Sequence, residues 1–187
     1  MYQLGDFKRG MKVLYENDPF TVVDFQHVKP GKGNQFTRAR LRNLLTGQNR
    51  DFTFKQGEKF GVPDLNHQEM SFLYKDDSGF NFMNQTSFEQ VTLNEDDVGD
   101  AKNYLIESTE CVIMNFNGRP IGVDVPNAVN LKVTTTDPNF KGNTVTGATK
   151  PATLETGHVV QVPMHINEGD VLRVDTRTGE YVERVNK

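Results

Sequence analysis

The chain has 187 residues, of which 35% are hydrophobic and 25% charged, with thirteen Phe, five Tyr, no Trp and a formal net charge of −4. This length is enough to bury a core, but so lean an aliphatic content fits several small cores better than one large one. Met1 to Met11 is polar and charged, and no apolar run approaches the roughly 18 residues that a membrane helix needs, so the expectation is a cytosolic protein with neither signal peptide nor membrane span.

Helical periodicity is nearly absent, whereas short alternating apolar and polar runs bounded by Gly, Asn, Asp and Pro recur throughout. The chain therefore reads as all-β, built from barrels of about 60 residues each. In the first third, 12–15, 20–28, 37–44 and 50–55 read as strands, with turns at Asn17-Asp18-Pro19 and Thr46-Gly47. Phe60-Gly61-Val62-Pro63-Asp64 then breaks the pattern. The second third offers strands at 71–75 and 80–83 around Asp76-Asp77-Ser78-Gly79, and a hairpin 111–116/121–125 around Asn117-Gly118. Only 94–106 reads as a short helix. The last third has strands at 131–135 and 158–162 and the pair 171–176/180–185 across Thr178-Gly179, with a Gly/Thr/Asn-rich stretch at 141–149.

Charge is unevenly spread: residues 1–64 carry net +4, 65–128 net −8 and 129–187 zero. A basic end joined to an acidic middle suggests that one part of the chain meets a polyanion such as nucleic acid. The single cysteine, Cys111, has no internal disulfide partner, and its apolar neighbours Val112 and Ile113 suggest a buried thiol. His27, His67, His158 and His165 lack a Cys or carboxylate at ligand spacing, so neither a metal nor a cofactor is expected.

The segment with chemical content is Lys29-Pro30-Gly31-Lys32-Gly33-Asn34, between two strands of the first third. Pro30 stiffens it, Gly31 and Gly33 permit positive φ, and Lys32 between them should stand at a hairpin tip. The next strand sets Arg38, Arg40 and Arg42 on one face with Ala39 and Leu41 on the other, a basic stripe above an apolar floor. Five cations and no acid from Lys29 to Arg42 would follow a phosphate backbone; a solvated strand with an ordinary turn is the plainer alternative. Enzyme motifs fail. A phosphate-cradling loop would need Gly where Gln26 stands and Ser or Thr where Gly33 stands, and a dinucleotide fingerprint would need Gly in place of Phe36. A Schiff-base role for Lys32 wants a desolvated amine, and a loop tip is wet.

The hairpin from Val28 to Gly33, followed by Arg40-Leu41-Arg42-Asn43-Leu44-Leu45-Thr46-Gly47, closely resembles the first domain of the bacterial translation elongation factor P family. A second match lies far downstream: Lys150-Pro151-Ala152, Gly157, Val160, Val162-Pro163, Ile166 and Gly169 look like that family's third-domain signature, and 176–185 also fits. The resemblance spans all 187 residues.

It implies an L-shaped, tRNA-like protein of three modules: an SH3-like or KOW-like barrel at 1–64 and two oligonucleotide-binding (OB) barrels at 65–128 and 129–187. Members of the family bind both subunits of a ribosome stalled on consecutive prolines, beside the peptidyl-site tRNA, and promote peptide bond formation without being enzymes. The implied roles are these. Lys32, framed by Pro30, Gly31 and Gly33, reaches the tRNA acceptor end and is the target of a lysine-modifying enzyme. Lys29, Asn34, Arg38, Arg40 and Arg42 position RNA. Tyr181 and Arg184 look toward small-subunit RNA, with barrel packing the alternative for Tyr181. Gly142, Asn143 and Thr144 approach the exit-site codon of the mRNA, with Asn143 standing where the family carries an acid. The protein is expected to be a monomer. An elongation factor P-like paralogue and a general single-stranded nucleic-acid binder are the competing readings, the first disfavoured by Lys32 between two glycines and the second by the acidic middle.

Overall fold

The computed structural model describes residues 1–138 and 147–185. In the first third, β1 (Tyr2–Gln3) pairs with β6 (Lys59–Phe60), and β2 (Lys12–Tyr15), β3 (Asp18–Val28), β4 (Phe36–Asn43) and β5 (Asn49–Lys55) form an antiparallel sheet in that order. The turn between β2 and β3 falls one residue before its expected place. Glu16 and Asn17 take it, at φ of 51° and 67°, the twist that suits a two-residue hairpin, while Asp18 and Pro19 already belong to β3. Pro19 has no N–H to give, and its carbonyl accepts from Leu44 N. The core is aromatic: Phe54 and Phe60 meet edge to face at 4.9 Å between ring centres, above Val13, Val22 and Leu41, which are fully buried.

In the middle third, β7 (Leu65–Asp76), β8 (Gly79–Met83), β9 (Gln90–Leu93), β10 (Glu110–Phe116) and β11 (Arg119–Asp124) make a five-stranded sheet in the order β11-β10-β7-β8-β9. The helix expected over 94–106 is cut short. Asn94 caps α1 (Glu95–Val98) by accepting from Asp97 N, but Gly99 at φ +58° ends it after one turn, and a 3-10 segment, Gly99–Asn103, follows. Met70, Phe72, Phe82, Leu93 and Ile113 form this region's core.

In the last third, β12 (Ala128–Thr136), β13 (Thr149–Leu154), β14 (Val159–Pro163), β15 (Val171–Asp175) and β16 (Glu180–Arg184) form a second five-stranded sheet in the order β14-β13-β12-β15-β16. Its core is aliphatic, from Leu131, Val133, Leu154, Val162, Ile166, Leu172 and Val174, with one outsider: Tyr104, from the turn after the 3-10 segment. By packing, the chain divides into two compact units, residues 1–68 with 114–122, and 69–113 with 123–187. Cys111 is buried in the middle core, as its apolar neighbours suggested.

Candidate nucleic-acid interface

Strands β3 and β4 pair, with a register shift at Val23, as far as Val28 and Phe36, and the chain leaves the sheet between them as the hairpin 29–35, every residue of which is exposed. Of the two glycines only Gly33 uses the left-handed region, at φ +112°; a side chain there would be strained and would lie 3.9 Å from Pro30 Cγ. The root of the hairpin is pinned. His27 Nδ1 and Thr37 Oγ1 are 2.8 Å apart across the last ladder rungs, and His27 packs its ring edge to face against Phe25. Lys29, Lys32 and Asn34 stand out from this base, and among the described residues Lys32 has no acidic partner.

Strand β4 alternates without a break: Thr37, Ala39, Leu41 and Asn43 are buried and Arg38, Arg40 and Arg42 exposed. The three guanidiniums differ in their surroundings. Arg40 Nε donates to Asp51 Oδ1 at 2.9 Å, which holds the Asp51 carboxyl below its ordinary range and raises Arg40, so the pair stays ionised at neutral pH. Arg38 lies over the Phe36 ring at 5.6 Å, a cation–π contact, and has no ion pair among the described residues. Arg42 has no ion pair among the described residues. A shallow groove of about 370 Å³ crosses this face between Arg38, Arg40, Asp24 and Asp51. Arg9 donates to Asp24 at 2.9 Å beside it, so the acids on this face are largely answered by arginines.

The partner acids were the part missed in the sequence. A two-residue turn at Thr46-Gly47 would set Arg40 opposite Thr53; the chain turns earlier, at 44–46, and that register is what brings Asp51 opposite Arg40.

The other expected site residues lie in the second unit or outside the described residues. Tyr181 is half-buried and packs against the last core, and Arg184 Nη1 is 3.7 Å from Asp170 Oδ2 while remaining accessible. Gly142, Asn143 and Thr144 fall outside the described residues. Among the described residues no three His, Cys, Asp or Glu side chains are placed to hold a metal ion, and no helix is long and apolar enough to cross a membrane.

A small barrel presenting a cationic hairpin, followed by two five-stranded antiparallel barrels, belongs to the class of multi-barrel KOW-like and OB proteins. A solved structure of eukaryotic translation initiation factor 5A from Methanococcus jannaschii is similar in fold over 67% of the chain and 90% of its own, with a TM-score of 0.54 at 19% identity. Family models divide the chain among themselves: the elongation factor P KOW-like domain matches residues 3–60, the elongation factor P OB domain 65–123 and the elongation factor P C-terminal domain 129–184. Elongation factor P of Bdellovibrio bacteriovorus is 62% identical over 187 residues, and that of Desulforapulum autotrophicum 48% over 187 residues, each covering the whole of both chains. The chain belongs to the elongation factor P family and is a translation elongation factor.

Proposed function

We propose that this factor acts in the cytoplasm, as a monomer, on ribosomes stalled at consecutive prolines, entering beside the peptidyl-site tRNA and touching both subunits. The observation that carries the reading is the 29–35 hairpin: exposed throughout, free of acids, pinned at its root by His27 and Thr37, and tipped by an unpaired Lys32. Proline's ring restricts the backbone, so peptidyl-prolyl-tRNA samples unproductive geometries. Holding the acceptor end near its attack position lowers that orientational barrier with no acid, base or nucleophile, which is why the factor is not itself an enzyme. A long cationic side chain on a fixed root suits this task, and its exposed amine suits a modifying enzyme that would lengthen it.

In this reading the chain is three modules, 1–64, 65–128 and 129–187, a division supported by the three hydrophobic clusters, the last of which borrows Tyr104 from the middle module, and by the spacing of the three family matches. Lys29, Asn34, Arg38 and Arg42 meet phosphate and sugar, contacts that fix position without reading sequence, while Arg40 shares its charge with Asp51. Tyr181 offers its exposed edge and Arg184 its guanidinium to small-subunit RNA. Gly142, Asn143 and Thr144 approach the exit-site codon, where the Asn143 amide replaces a charge with a group able to pair with base edges.

The test is translation of two reporters, one with a Pro-Pro-Pro stretch and one without, with and without the factor. Selective stimulation of the first is expected; equal stimulation of both, or of neither, overturns the reading.

A further inference from the structure

At the root of the 29–35 hairpin the first barrel has an open mouth, a cup of about 260 Å³ lined by Leu4, His27, Thr37 and Gln56, with the exposed Lys29 and Gln35 beside them. It is distinct from the groove on the arginine face, with which it shares no residue. Strand parity explains the separation. Thr37 lies with Ala39 and Leu41 on the buried face of β4, opposite to Arg38, Arg40 and Arg42, and the ladder sets His27 directly across from Thr37 on that same face.

The cup is smaller than the roughly 300–1,000 Å³ of sites that enclose a whole small molecule, so it suits one ring of something larger. Leu4, nearly buried, gives it apolar surface. The His27 ring is held from two sides, by Thr37 Oγ1 2.8 Å from Nδ1 and by edge-to-face packing on Phe25, yet its Nε2 has no partner among the described residues. The side-chain amides of Gln35 and Gln56 have none there either. A fixed aromatic ring and uncommitted hydrogen-bonding groups thus surround a ring-sized space.

Charge narrows the guest further. Among the described residues no carboxylate lines the cup, Lys29 does, and no acid occurs in the sequence from Lys29 to Arg42. The ring should therefore arrive with an anion attached. A phenyl ring on an acidic peptide would match shape and charge but leave Nε2 and both amides unanswered. An unstacked nucleotide answers all of them, with a planar ring, a base edge that donates and accepts, and a phosphate beside it.

We propose that the mouth of the first barrel receives one unstacked base of a single-stranded RNA, with its ring beside that of His27 and over Leu4, its edge hydrogen-bonded to Gln35 and Gln56, and its phosphate on Lys29. The inference rests on the RNA-facing reading of the hairpin and deepens it. The arginine stripe responds to charge alone, whereas this contact requires a base that is free of its neighbours, so the cup selects an unpaired nucleotide over a duplex.

The experiment is titration of the full chain, followed by amide chemical shifts, with single-stranded rApApA and with a fully abasic trinucleotide that keeps the phosphates and sugars and lacks every base. Saturable binding is expected, at least about tenfold tighter for rApApA, since stacking one base on an aromatic side chain contributes that much. Shifts at Leu4, His27, Thr37 and Gln56 should appear with rApApA and be absent with the abasic strand. His27→Ala should erase most of the difference between the two strands, with thermal unfolding checking its fold. Gln56→Ala, an exposed position outside the strands, should reduce it in the same direction. Equal affinity for both strands, shifts confined to Lys29 and the arginines, or a difference that survives both variants would overturn the proposal and leave the hairpin in contact with phosphate alone. Displacement of rApApA by an equal concentration of the tripeptide Asp-Phe-Asp would overturn it in favour of an acidic protein segment. No ribosome enters this assay, so its failure and failure of the Pro-Pro-Pro reporter are told apart.

Discussion

Arg40 and Asp51 face each other across β4 and β5, with Nε at 2.9 Å from Oδ1 and Nη2 at 3.4 Å from Oδ2, so one arginine of the basic stripe is engaged before any RNA arrives. The three arginines should therefore not behave alike. Arg38→Ala or Arg42→Ala should each weaken ribosome binding about tenfold at low salt, because a charge-assisted phosphate contact is lost. Arg40→Ala should weaken it less, and Asp51→Asn should strengthen it severalfold by releasing Arg40. Affinities measured at low and high salt check this. Equal losses for all three arginines, with no gain from Asp51→Asn, would show that the pair opens freely on binding.

Lys32→Ala should abolish rescue at consecutive prolines and leave the melting temperature within about a degree of the parent, since an exposed tip residue without a partner supports no core. The paired measurement is the proline reporter assay with thermal unfolding. A melting temperature lowered by many degrees would make Lys32 structural.

Strand β4 was legible because its alternation is driven from both sides, arginines outward and Ala39 and Leu41 inward, and no other periodicity fits. The hairpin at Asn117-Gly118 was legible for a different reason, since that dipeptide accepts positive φ at little cost, and both residues adopt it at 50° and 78°. Strand β13 was not foreseen. Pro151 lies inside it and argues against a strand, yet the ladder tolerates it there, and its carbonyl accepts from Thr136 Oγ1. The stripe itself could be read from spacing, but its partial neutralisation depends on strands brought together across a turn.

Gly179 sits at φ +78°, and a Cβ added there would lie 3.1 Å from Tyr104 Oη and 3.4 Å from His158 Nε2, the nitrogen that is 3.0 Å from the Gly179 carbonyl. Gly157 has a similar φ of +88° but open space around it. Gly157→Ala should cost the backbone penalty alone, about 1–2 kcal/mol. Gly179→Ala should cost more, by the disturbance of Tyr104 and His158. Urea denaturation of both variants measures the difference, and equal costs would mean that the two rings yield without resistance.

Burial raises the Cys111 thiol from an ordinary 9.0 to about 12, so the folded chain keeps a proton that the unfolded chain releases above pH 9. That contribution to stability is complete below pH 9 and is lost as the pH climbs from 9 toward 12. Cys111→Ala should have a flatter decline over that interval. Tyr15 and Tyr104, also raised by burial, leave a shared slope in both proteins. Urea midpoints across the alkaline range, parent against variant, supply the test; parallel declines would place the thiol in contact with water.

Tyr104 is donated by the turn after the middle third's 3-10 segment, yet it is buried at 5% exposure among the aliphatic side chains of the last third. Thr156 Oγ1 donates to the Asn103 carbonyl one residue away, and Thr176 Oγ1 donates to the Pro126 carbonyl. A chain cut between 128 and 129 would therefore leave an aromatic-sized vacancy in one fragment and a stranded tyrosine in the other. Although the two sheets are separate, the second unit should melt in a single cooperative step, because the loss of either barrel removes a piece of the other.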